Sequence, residues 1–115
     1  MQVRQLHGDY FVSAQLSTDG IRLAAEHGVR TIINNRPDHE EPGQPLSEDL
    51  QRAAEAAGLV YRHLPFASAD IPEGILGALR DGYADMPKPV LAFCRSGARS
   101  EMLWARVVAP LAAED

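Results

Sequence analysis

Two stretches constrain this chain more than any others, because each closes a helix on a glycine and opens a strand with the very next residues. They are Glu26-His27-Gly28-Val29 and Ala56-Ala57-Gly58-Leu59. A glycine just past the last helical turn accepts the left-handed backbone that ends a helix, so both read as hard stops. Before the first stop, Ser17 or Thr18 caps a helix over about Thr18 to His27, with Asp19 in its opening turn. Before the second, Ser47 is the expected cap, Glu48 and Asp49 complement the dipole, and Leu50, Ala53, Ala54 and Ala57 form the apolar stripe. After the stops come Val29 to Asn34 (VRTIIN) and Leu59 to Pro65 (LVYRHLP), both strand-like. Helices alternating with strands in this way predict an α/β domain. The expected form is a mostly parallel sheet of four to five strands flanked by helices in three layers.

The remaining segments fit that plan. Val3 to Leu6 and Tyr10 to Ala14 read as strands joined at His7-Gly8-Asp9. His39 to Pro45 carries two prolines and a glycine and is expected to stay irregular. Pro72 suits a first helical position, and Ile75, Leu76, Leu79 and Tyr83 repeat at helical spacing as far as Asp85. Val90 to Phe93 is a short apolar strand. The last helix, to about Ala109, carries Met102, Leu103, Trp104, Val107 and Val108 on more than one side, so it is expected to be well buried. Pro110 and the AAED tail are expected to fray. With 115 residues and no internal repeat or linker, residues 1–115 are expected to form one domain.

In sheets of this kind ligands sit beyond the carboxyl ends of the strands. Three loops should meet there: Asn34 to Asp38, Phe66 to Asp70 and Cys94 to Arg99. The third holds the chain's one cysteine, so no intramolecular disulfide is possible. With no apolar signal segment at the start, this points to a reducing, cytoplasmic setting. The net charge of −5 argues against nucleic acid or an anionic membrane as partner. His7, His27, His39 and His63 stand singly, so neither metal nor other cofactor is expected.

Cys94 ends a strand and opens the turn Arg95-Ser96-Gly97-Ala98-Arg99 into a helix. Free N–H groups, the positive helix end and nearby guanidiniums all favour thiolate over thiol, making Cys94 a candidate nucleophile. Gly97 lets successive N–H groups curl toward an anion, with Ser96 and Ala98 in the same curl. Arg99 reads as an anion clamp beside the sulfur and Arg95 as a contact for a charged substrate, while Ser96 and Ser100 can donate to the thiolate or cap the helix. Arg36 either reaches the site as a further anion contact or pairs with Glu40 or Glu41 on the surface. Asp70 is the first candidate for a general acid and Asp38 the second, although each also reads as an ordinary turn or cap residue. His63, within a strand, reads as a structural histidine.

CRSGARS resembles the active-site loop of rhodanese-type sulfurtransferases and also looks like a relative of the cysteine-phosphatase loop. Only four residues separate Cys94 from Arg99, however, one fewer than phosphatases have, and Phe93 stands where they usually carry histidine. YFVSAQLS, GVRTIINNRPD and LVYRHLPF are similar to dual-specificity phosphatases in order and kind. INNRPDHEEPGQP and LAFCRSGARS together resemble the phosphatase-like domain of the beta-lactamase-hydrolase-like family. That resemblance implies a role in sulfide and persulfide metabolism, with a persulfide dioxygenase as a partner.

A six-residue loop from Cys94 to Arg99 suits the outer sulfur of a persulfide better than a tetrahedral phosphate. The expected activity is therefore sulfur transfer from a small anionic donor to a thiol acceptor through a Cys94 persulfide. A phosphatase-like hydrolase with a Cys94 phosphocysteine is the alternative, and a persulfide-sensing module is the third reading.

Overall fold

A computed structural model describes residues 2–113. Strands β1 (Val3–His7) and β2 (Tyr10–Ser13) form a hairpin that leads into helix α1 (Thr18–Glu26). Then follow β3 (Thr31–Asn34), α2 (Ser47–Ala56), β4 (Val60–His63), α3 (Glu73–Gly82) and β5 (Val90–Phe93). A 3-10 turn, Tyr83–Asp85, closes α3, and the final helical run consists of α4 (Ala98–Leu103), a π-helical turn (Trp104–Val108) and α5 (Ala109–Ala113). The five strands lie in the order β1-β2-β5-β3-β4; β1 is antiparallel to β2 and every other pairing is parallel. This is the predicted mostly parallel α/β sheet.

Alternation along β5 divides the core into two layers. Val90 and Ala92 face one cluster, where Leu76 and Leu79 of α3 pack with Leu103, Val107 and Val108. Leu91 and Phe93 face the other, against Ile21 and Ala24 of α1 and Leu50 and Ala54 of α2. Burying side chains on both faces is what lets a four-residue strand such as β5 consist only of apolar residues.

Both glycine stops form as expected, with φ of +98° at Gly28 and +80° at Gly58, and Ser17 Oγ accepts from the Gly20 N–H at 3.0 Å to cap α1. Three local expectations need correction. Ser47 is the first residue of α2 rather than its cap, and its hydroxyl is taken up by the Tyr61 phenol at 2.8 Å. The cap comes from the loop instead, where Asp38 Oδ1 accepts the Ser47 N–H at 2.8 Å. Pro72 stands just before α3 rather than inside it.

The third correction concerns the end of the chain. Helix continues past Pro110 as far as Ala113, while Glu114 and Asp115 lie outside the described residues. Proline has no N–H to return to the preceding turn, and the π-helical turn, where Ala109 N–H reaches Trp104 O, widens the ladder just before it. In this run Leu103, Val107 and Val108 are buried, but Met102 and Trp104 pack only at the margin of the core.

Candidate active site

The strand register levels one edge of the sheet. Ser13, Phe93, Asn34 and His63 are cross-strand partners at the carboxyl ends of β2, β5, β3 and β4. The loops that follow therefore leave the sheet side by side, with Cys94 on the central strand between those after β2 and β3. The predicted meeting of three loops is what the fold produces.

Cys94 is fully buried. Gly97, at φ +99°, turns the chain so that its N–H donates to Cys94 Sγ at 3.0 Å. A Cβ at this position would stand 3.4 Å from Ser13 O, close to an ordinary contact, so it is the left-handed backbone angle that favours glycine here. Burial pushes the Cys94 thiol up, but backbone N–H groups of Ser100, Gly97, Ser96 and Arg99 outweigh it and hold the thiol below its ordinary value. The loop thus selects the anion with amide hydrogens wrapped around the sulfur.

The other loop residues divide by role. Ser96 Oγ accepts from the Ala98 N–H at 3.3 Å, a local turn contact. Ser100 is buried, but its hydroxyl donates to Asn35 Oδ1 at 2.8 Å, so only its backbone N–H serves the sulfur. Asn35 in turn donates to Leu64 O at 2.9 Å, tying the cysteine loop to those after β3 and β4. Arg95 is exposed, with Glu41 at 3.7 Å. Arg99 pairs with Glu40 through two hydrogen bonds of 2.8 and 2.9 Å and donates to Phe66 O at 3.0 Å. Glu40's hydrogen bonds raise the Arg99 pKa, and the Cys94 sulfur beside the guanidinium adds to the effect.

Arg36 pairs with both glutamates, as one of its two readings had it, but inside the protein rather than on its surface. It is 2% exposed and donates to Glu40, Glu41 and Gln15. Asp70 is exposed and its backbone N–H donates to Ser68 Oγ at 3.3 Å; it does not cap α3. Asp38, the second acid candidate, serves α2 as described above. His63 accepts its expected structural role through a 2.9 Å hydrogen bond between Nε2 and Arg36 O.

Glu40, Ala67, Ser68, Ala69, Arg95 and Arg99 line an open basin of about 520 Å³ beside this loop. An apolar groove of about 550 Å³, lined in part by Phe11, Leu23, Val29 and Pro89, lies apart from the cysteine. Among the described residues no group of three or more His, Cys, Asp or Glu is placed to hold a metal, and no helix is long and apolar enough to cross a membrane. Sequence reasoning passed over Gln15 and Asn35 and noticed Glu40 and Glu41 only as partners for Arg36.

A parallel strand ending in a cysteine, whose sulfur is then wrapped by the amides of a loop leading into a helix, defines the cysteine-phosphatase-like class of α/β domains. Within that class the chain belongs to the family of phosphatase-like domains of beta-lactamase hydrolase-like proteins, whose model matches residues 2–110. It is 38% identical over 105 residues to the beta-lactamase hydrolase-like protein of Xylella fastidiosa strain Temecula1, covering 91% of this chain and 24% of that protein. To the protein of the same description from Agrobacterium fabrum it is 40% identical over 77 residues, covering 67% of this chain and 18% of that one. The chain thus spans about a quarter or less of the length of these curated relatives.

Among solved structures, a phosphatase candidate from Neisseria meningitidis Z2491 superposes with a TM-score of 0.78 at 35% identity, over 87% of this chain and 71% of that one. The core catalytic domain of the PP-IP phosphatase Siw14 from S. cerevisiae has a TM-score of 0.59 at 20% identity, over 83% and 56% of the two chains, a likeness of fold alone.

Proposed function

We propose that this domain is a cysteine-dependent sulfurtransferase. In this reading the Cys94 thiolate attacks the outer sulfur of a sulfane donor, the donor's S–S bond breaks, and the remainder leaves as an anion with the bonding electron pair. The resulting Cys94 persulfide then passes its sulfur to a thiol acceptor, and ping-pong kinetics follow. The observation that carries the reading is the pairing of a complete thiolate cradle with two carboxylates, Asp38 and Glu40, that are committed elsewhere, leaving the exposed Asp70 as the acid candidate still to be tested. Asp38 holds α2, and Glu40 is held down to about 2 by the Arg99 hydrogen bonds, too acidic to protonate a leaving alkoxide. Sulfane donors release thiolate or sulfite, which are stable as anions and require no such acid.

The alternative, a phosphatase with a phosphocysteine intermediate, is the reading that the comparisons favour. The family is described as phosphatase-like, and the Neisseria structure at 35% identity is described as a phosphatase candidate. Its general acid would be Asp70, exposed and one residue beyond the Ala69 that lines the basin. One experiment separates the two. Under sulfur transfer, mass spectrometry of protein treated with a hydropersulfide or thiosulfate shows one added sulfur, absent in Cys94→Ser. Turnover of an aryl phosphate that collapses in Cys94→Ser and weakens in Asp70→Asn, with no sulfur loading from any donor, establishes the phosphatase instead. A cytoplasmic location and pairing with a persulfide dioxygenase belong to the same sulfur-transfer proposal.

A further inference from the structure

Arg99 does not meet a substrate with its whole guanidinium. Its Nη1 and Nη2 donate to the two oxygens of Glu40, and Nη1 donates also to Phe66 O. Oε1 of the same carboxylate accepts from Arg36 Nε at 2.9 Å, so Glu40 bridges two arginines. Glu41 stands behind it, accepting from Arg36 Nη2 at 2.8 Å and lying 3.7 Å from Arg95.

The loop is built to hold Glu40 there. Its N–H donates to Gln44 Oε1 at 3.1 Å, and the Gln44 amide donates to Pro37 O at 2.8 Å. The preceding residue, His39, has a φ of +66°, a left-handed conformation that a non-glycine residue keeps only when its surroundings fix it. A mobile surface glutamate would show none of these restraints.

Charge gives the arrangement its consequence. Arg36, Arg95 and Arg99 contribute three positive charges and Glu40 and Glu41 two negative ones; with Cys94 as the attacking thiolate the negative charges also number three. The cluster is neutral before any substrate arrives. Beyond what the loop's amides supply, surplus positive charge favours a dianion, and here the two glutamates remove it. The geometry points to Glu40, backed by Glu41, as the residue that sets the charge of the substrate. It admits a neutral or singly charged hydropersulfide and disfavours dianions such as thiosulfate or a phosphate monoester.

The donor's identity rests on the sulfur-transfer reading, whereas the discrimination by charge does not. With a hydropersulfide R–S–SH, the Cys94 thiolate forms a new S–S bond to the outer sulfur and the old S–S bond breaks. RS⁻ leaves with the electron pair, and the proton stays on the transferred sulfur. Cys94 is oxidised as the donor's inner sulfur is reduced, so no further reagent is needed.

The test is titration calorimetry with inorganic phosphate, a probe that needs no turnover, on the full chain and its Glu40→Gln variant. Glu48→Gln, a paired surface glutamate on α2, controls for net charge. Glu40→Gln is expected to bind phosphate about tenfold more tightly than the wild type, the order of effect for one charge removed beside a partly desolvated site. Glu48→Gln is expected to leave the affinity unchanged. In kinetics, Glu40→Gln shifts the ratio of kcat/KM values toward thiosulfate and away from the hydropersulfide.

A gain in Glu40→Gln no larger than in Glu48→Gln overturns the assignment. Should Glu40→Gln fail to fold, Glu40→Asp, which withdraws the carboxylate by one methylene, is expected to show a several-fold gain, and no gain overturns the assignment equally. If the phosphate gain persists while no donor loads Cys94, charge selection is supported and sulfur transfer fails.

Discussion

Ser100 shows how finely the work around the sulfur is divided. Its backbone N–H faces Cys94 while its hydroxyl is spent on Asn35, which is fully buried. Ser100→Ala should therefore leave the pH midpoint of Cys94 alkylation by iodoacetamide nearly unchanged, because the amide remains. It should cost about 1–3 kcal/mol in chemical denaturation, because Asn35 Oδ1 loses its hydroxyl donor inside the protein. A hydroxyl that served the sulfur directly would move the midpoint upward instead. The placement of Cys94, Gly97 and Arg99 in one turn was legible in the sequence because it is local, although Arg99 was read as an anion clamp and its guanidinium is taken up by Glu40. Glu40 was not legible as a partner of Arg99, since 59 positions separate them and only the fold brings them together. Asn35 was hidden for another reason: after a strand, an asparagine reads as a turn residue, and nothing local reveals a distant hydroxyl.

Helix α2 illustrates the same limit for a segment. Its start, stripe and glycine stop could be read, but the cap was assigned to the nearest suitable side chain, Ser47. Asp38 instead accepts the N–H of Ser47 itself from nine positions away, across a loop whose path no local rule gives. Asp38→Ala should lower stability by about 1 kcal/mol, with Asp38→Asn much closer to the wild type, as measured by thermal or chemical unfolding. If Asp38 were instead the acid of a phosphatase, Asp38→Asn would fold normally and lose activity. The final helix went unread in part because Pro110 is ordinarily a stop. The wider π-helical turn comes just before it, in a run whose Leu103, Val107 and Val108 are buried in the core, a tertiary setting that no local rule reads.

The sheet as a unit was the most legible feature, because strand–helix alternation leaves few ways to bury apolar surface on two faces. Its level edge delivers the loops to one place, and the same gathering makes stability depend on acid. Glu40, lowered from a usual 4.5 to about 2 chiefly by Arg99's hydrogen bonds, is a depressed carboxylate. Its contribution is fully present above about 4.5 and is lost as pH falls toward about 2. The difference in unfolding free energy between wild type and Glu40→Gln should therefore shrink across that window and stay flat above it, as urea titrations at stepped pH would show.

The burial of Cys94 has a last consequence, one of reach. Cys94 has no exposed surface of its own, so its sulfur meets only a reactant whose reacting atom reaches into the loop. Under the proposed sulfur transfer, the terminal atom of a Cys94 persulfide would stand about 2 Å further along the chain of bonds. On that reading the transferred sulfur, rather than the cysteine that carries it, is what an acceptor thiol reaches.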